Sequence, residues 1–152
     1  MATDPPPTAR VQQPQGAPRR LVGGLAASIT LAVLLLAAGL DAAPDGHGTH
    51  MQLGLPKCSW VALMDKPCPT CGMTTSFTHA ADGSLRAAAT AQPAGTLLAI
   101  VSAAVMWGGF HTALTGITLG PVLGGLLRAR TIWMGLGVLV LAWLYKLATW
   151  GG

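Results

Sequence analysis

The sequence predicts an all-α integral membrane protein, with three transmembrane helices and a short extracytoplasmic helical segment that carries a Cys-x-x-Cys motif. Three observations predict it. Of the 152 residues, 51% are apolar and only 9% charged, and the mean hydropathy is +0.53, which belongs to a bilayer protein rather than a soluble globule. Three apolar runs, with Lys146 the one charged residue among them, are each long enough to span. All three cysteines fall between Cys58 and Cys71, inside the longest polar interval between those runs. The net charge of +4 comes with no aromatic-basic groove or binding motif, so nucleic acid is not an expected partner.

Residues 1–20 hold five prolines, three arginines and almost no large apolar side chain. So little burial cannot offset ordering entropy, and the segment reads as a disordered cytoplasmic tail. Residues 21–40 are uncharged, and twenty residues make about 30 Å of helix, the thickness of the hydrocarbon core. A cleaved signal peptide competes with this reading, with Arg19 and Arg20 as a basic flank, but the run is longer than a signal core. Gly24, Ser28 and Ala32 recur at every fourth position and present a small face to another helix.

Residues 41–92 are the polar, extracytoplasmic interval. Its first part, to residue 56, is turn-rich without a helical period and reads as a loop. After the cysteines, residues 73–92 read as two short helices broken at Asp82-Gly83, with Ser84 as a cap for the second. Residues 93–114 form the second span. Pro93 suits its first turn, and Gly95, Ala99, Ala103 and Trp107 share a face. Residues 115–130 are a glycine-rich cytoplasmic connection, and residues 131–150 the third span, with Trp133 and Trp150 at its ends as an aromatic belt. Lys146 lies one turn from the end, where its ammonium snorkels to the interface; a functional intramembrane lysine is the sharper alternative.

Orientation follows from the basic residues beside the spans. Arg10, Arg19 and Arg20 precede the first span and Arg128 and Arg130 precede the third, whereas three basic and four acidic residues are spread thinly over the cysteine interval. The N-terminus is therefore expected in the cytoplasm and the cysteines in an oxidising space outside it.

Cys68-Pro69-Thr70-Cys71 has the spacing for a small disulfide ring or for two thiolates on one metal. A helix beginning after Cys71 would stabilise a thiolate there through its N-terminal N–H groups, making that cysteine unusually reactive. Pro69 fixes backbone geometry within the motif, and Gly72 permits close approach to whatever the sulfurs hold. Cys58 stands ten residues ahead of Cys68, a loop able to close on the pair. His79 falls on the face of Cys71 if the helix is continuous, whereas His47 and His50 belong to a turn-rich segment and His111 is far along the second span.

Three readings stay open. One is a structural disulfide between Cys58 and one of the pair. Another is a metal site of Cys58, Cys68, Cys71 and His79, with zinc the candidate ion. The third is thiol–disulfide exchange, with Cys68 and Cys71 as the catalytic pair and Cys58 as a resolving or structural partner, although no βαβ pattern of a thioredoxin-like domain accompanies it. Thr74, Thr75, Ser76 and Thr78 read as caps or as hydroxyls bonded back to carbonyls.

Cys58, the run Cys68-Pro69-Thr70-Cys71-Gly72-Met73-Thr74, the turn Asp82-Gly83 and then Gln92-Pro93 at the mouth of a span together resemble the bacterial membrane family called domain of unknown function 2752. The resemblance implies an integral membrane protein with a cysteine motif and brings no known reaction. Thr75 and Gln92 depart from it, standing where the family commonly has arginine and asparagine. Expected partners are the lipid bilayer and other membrane proteins that dock on the small-residue faces. Two functions follow: a non-enzymatic accessory component whose cysteines are structural or metal-binding, or a membrane thiol–disulfide oxidoreductase.

Overall fold

A computed structural model describes residues 16–117 and 128–150. These form six α-helices and no strand: α1 Gly16–Ala38, α2 Ser59–Met64, α3 Met73–Ala81, α4 Leu85–Ala91, α5 Pro93–Thr115 and α6 Ala129–Ala148, with a 3-10 turn at Thr49–Leu53. Helices α1, α5 and α6 are long and apolar enough to cross a membrane, as expected. At 23, 23 and 20 residues they measure about 35, 35 and 30 Å at 1.5 Å per residue.

Among the described residues α1 runs from Gly16, ahead of the apolar run, and Pro18 is accommodated in it near that end. Most of the tail expected to be disordered, and most of the second connection, lie outside the described residues. Pro93 opens α5 as expected. The break between α3 and α4 falls at Asp82-Gly83, where Gly83 takes φ +78°. Ser84 occupies the cap position of α4 without making the side-chain bond expected of it. Two elements were not anticipated, α2 and the 3-10 turn; each is too short to show a period in sequence.

The spans pack through small residues, but on α1 the face differs from the expected one. Gly23 and Ala27 are buried, whereas Ser28 and Ala32 are exposed. Opposite them stand Gly109 and Thr112 of α5: a Cβ on Gly109 would lie 2.6 Å from the Gly23 carbonyl, and a Cβ on Gly23 2.8 Å from Thr112 Cβ. A fourth-residue repeat alone cannot say which of two adjacent small faces meets the neighbour; the glycine across the interface decides. On α5, Gly95 abuts Ser76 of α3, and Ala99 joins Ala37 and Phe77 in a small apolar cluster, while Trp107 is 70% exposed.

Helix α3 therefore lies where α1 ends and α5 begins. It is unusually rich in buried hydroxyls: Thr75, Ser76 and Thr78 are fully enclosed. Each has a partner. Thr75 Oγ1 shares a 2.9 Å hydrogen bond with Thr49 Oγ1, which also accepts from the Ala43 N–H. Ser76 Oγ donates to the Gln92 carbonyl at 3.1 Å and contacts Thr96 Oγ1 at 3.0 Å. Thr78 Oγ1 donates back to the Thr74 carbonyl. Satisfied in this way, the hydroxyls bind α3 to α5 and to the first loop without themselves being left unpaired.

Candidate functional site

The cysteines stand on two helix approaches. Cys58 is the residue immediately before α2, and its pKa is lowered chiefly by the Val61 N–H and further by the Trp60 N–H and the Cys68 thiol, against a smaller opposing effect of burial. These N–H groups favour the thiolate electrostatically without completing a side-chain cap. Cys68 is half-buried, with Sγ 3.4 Å from Thr70 Oγ1. Cys71 is 7% exposed. Its backbone N–H donates to the Cys68 carbonyl at 2.9 Å, so the Cys-Pro-Thr-Cys segment is a tight turn.

Burial, reinforced by the charge of Cys68, pushes the Cys71 thiol up to about 11 in spite of the Lys146 ammonium. This reverses the sequence expectation. Helix α3 does begin just after Cys71, at Met73 with Gly72 between, yet its positive end does not make Cys71 the reactive thiol. The lowered pKa belongs to Cys58.

All three cysteines line one cavity of about 610 Å³. Its wall also includes Asp45, His47, His50, Met51, Lys57, Thr70, Gly72, Met73 and Thr74. His79, expected as a fourth ligand, is not part of that wall, while His47 and His50 are. Among the described residues no three His, Cys, Asp or Glu side chains are grouped as ligands of a single ion. His47 Nδ1 lies 2.9 Å from the Asp45 carbonyl and its ring packs on Trp150 with centroids 4.6 Å apart, so Trp150 serves this loop as well as the end of its span.

The loop is held from below by the third span. Lys146 does not snorkel: it is 7% exposed, and its ammonium donates to the Ala91 carbonyl at 3.1 Å and the Gly46 carbonyl at 3.2 Å. One turn earlier, Trp143 Nε1 donates to the Pro67 carbonyl at 2.9 Å. Gln92, fully buried, donates from Nε2 to the Pro69 carbonyl at 3.1 Å. Gly72 fits between these groups at φ +86°, where a Cβ would meet the Gly46 carbonyl at 2.7 Å and the Ala91 carbonyl at 2.9 Å. The close approach expected at Gly72 is thus to the chain's own backbone. Sequence reasoning passed over Trp143, set His47 and His50 aside in a turn-rich segment, and singled out Lys146 as the sharper alternative without connecting it to the cysteines.

Residues 58–107 match the model of a family described as a protein of unknown function (DUF2752). Over this stretch, a third of the chain, it is similar to the DUF2752 family. The DUF2752 stretch takes in all three thiols, α2 to α4 and the first two-thirds of α5, but not the loop carrying His47 and His50 nor the α6 residues that hold the turn. No curated protein matches the chain. No solved structure matches it.

Proposed function

We propose that this membrane protein carries out thiol–disulfide exchange at the extracytoplasmic surface, with Cys58 and Cys68 as the pair that meets a cysteine-bearing partner protein. The observation that carries the reading is the setting of Cys58: half-buried, on an open cavity, its thiolate favoured by the α2 N–H groups and its sulfur beside that of Cys68. Reactive cysteines combine access with a stabilised thiolate, whereas a buried thiol of raised pKa is a slow first nucleophile toward a partner. The pair differs from the Cys68–Cys71 pair suggested by the spacing, since Cys71 is enclosed and protonated. The oxidising location rests on Arg19 and Arg20 at one end of α1 and Arg128 and Arg130 beside α6, at the ends opposite the cysteines.

A second reading is favoured by one observation. Helix α2 buries no residue, so a permanent Cys58–Cys68 bridge would be its main tether, as in a structural disulfide of an accessory component. The two readings separate in intact cells labelled with a membrane-impermeant maleimide, with and without mild reductant. Exchange predicts that mild reductant increases labelling within the cysteine cluster, and a mixed disulfide with another protein when Cys68 is changed to Ser. A bond that resists mild reductant and traps no partner favours the structural bridge, and labelling only after permeabilisation sinks the orientation.

A further inference from the structure

We infer that Cys68 is a shared sulfur, bonded in turn to Cys58 and to Cys71, so that a disulfide passes between a half-exposed pair and a pair with one enclosed member. This rests on the exchange reading above and adds to it the third thiol and the route of transfer. The backbone on both sides of Cys68 is pinned: the preceding carbonyl, of Pro67, accepts from Trp143, and the following one, of Pro69, accepts from Gln92. The Cα of Cys68 is therefore held while its side chain keeps rotamer freedom about χ1. On one side it has Cys58, whose thiolate it helps to stabilise; on the other it has Cys71, closed onto it by the 2.9 Å turn bond. All three cysteines line the same cavity, and each of Cys58 and Cys71 is close enough to Cys68 for its titration to be affected by it.

The chemistry balances without an added redox agent. In the first stage the Cys58 thiolate attacks a disulfide of the partner protein, forming a mixed disulfide and releasing one partner thiolate. The Cys68 thiolate then attacks Cys58 Sγ, which forms the Cys58–Cys68 bond and expels the second partner thiolate; the partner gains the two electrons that the pair loses. In the second stage Cys71 gives its proton to water in the cavity and its sulfur attacks Cys68 Sγ. The Cys68–Cys71 bond forms, the Cys58–Cys68 bond breaks, and the electron pair leaves on Cys58. No electrons are gained or lost overall in that stage. A thiol of low pKa is the better leaving group and one of high pKa the poorer, so the bond settles on Cys68–Cys71 and returns Cys58 as a free thiolate.

The test is the pairing in full-length protein in membranes, equilibrated with oxidised and reduced glutathione, quenched by alkylation and mapped by peptide mass. Wild-type protein is expected to yield both Cys58–Cys68 and Cys68–Cys71 peptides, with Cys68–Cys71 the more abundant and Cys58–Cys71 absent. Cys58→Ser should keep the Cys68–Cys71 bond, Cys71→Ser the Cys58–Cys68 bond, and Cys68→Ser neither. Wild-type protein with a glutathione-exchangeable Cys58–Cys68 bond and no Cys68–Cys71 bond overturns the transfer while leaving the exchange reading intact. A wild-type protein with no exchangeable disulfide overturns both, and because the wild-type measurement needs no substitution, failure of a variant to fold cannot mask either result.

Discussion

Cys58 and Cys71 each precede a helix, directly in the case of α2 and with Gly72 between in the case of α3. By sequence the second has the better claim to reactivity, since it belongs to the Cys-x-x-Cys motif and α3 is the longer helix. The structure reverses the claim. A helix terminus contributes about 0.3–1 kcal/mol, which is less than one pKa unit at about 1.36 kcal/mol per unit. Burial of Cys71 moves its thiol from 9.0 to about 11, in the opposite direction. At Cys58 burial is slight, so the N–H groups of α2 prevail. The position of a cysteine at a helix start fixes the sign of one contribution, and enclosure decides whether that contribution matters.

The largest test of the contrast is alkylation of the reduced protein as a function of pH. A thiol that titrates near 11 rather than 9.0 holds roughly 100-fold less thiolate than an ordinary one near neutral pH. Cys71 should therefore label about 100-fold slower than an ordinary cysteine and reach its half-maximal rate near pH 11. Cys58 should reach half its maximal rate below pH 9.0. Equal rates at the two sites would break the comparison. Stability follows the same sign: a thiol whose folded pKa is raised binds more protons folded than unfolded, so its contribution is present below 9.0 and is lost as pH rises through about 11. Cys71→Ser should remove that part of the alkaline loss.

Lys146→Met is next in size. It keeps the length and removes the donor of the Ala91 and Gly46 carbonyls; leaving buried acceptors unpaired costs about 1–3 kcal/mol each. A lower unfolding midpoint in detergent should accompany a further rise in the alkylation midpoint of Cys71, because the opposing ammonium is gone. An unchanged Cys71 profile would place the lysine outside the electrostatics of the thiol.

Gly109→Val serves as a control at the other end of the bundle. Its Cβ would meet the Gly23 carbonyl at 2.6 Å, forcing α1 and α5 apart, at about 1–3 kcal/mol for an overpacked contact. The midpoint of thermal unfolding should fall while the Cys58–Cys71 contrast persists. Gln92→Ala is expected to have the smallest effect, about 1 kcal/mol for one hydrogen bond. It frees the Pro69 carbonyl, and faster hydrogen exchange around the Cys-Pro-Thr-Cys turn would sharpen the role given to that pin.

Hydropathy alone revealed the three spans, because long apolar runs have few alternatives, and Pro93 and Asp82-Gly83 were legible because proline and glycine restrict the backbone in known ways. Helix α2 was not, since six residues between Cys58 and Asp65 carry no measurable period. The cysteine cluster was visible as spacing. Its electrostatics were not, because the turn that carries Cys71 and Gly72 packs against Gly46, Ala91 and Lys146, which come from three separate parts of the chain. The buried lysine illustrates the difficulty best: one turn from the end of a span, snorkelling and burial look alike until the loop above the helix has been placed.

The fastening of that loop by α6 also imposes an order of events on biosynthesis. Lys146 is 100 residues from Gly46 and 55 from Ala91, and Trp143 is 76 from Pro67. Each acceptor leaves the ribosome well before its donor, so the turn around Cys71 lacks these bonds until the last of the described helices has formed. Pulse-labelled chains should therefore pass from maleimide-sensitive to maleimide-resistant at Cys71 when α6 inserts, and Lys146→Met should prolong the sensitive interval.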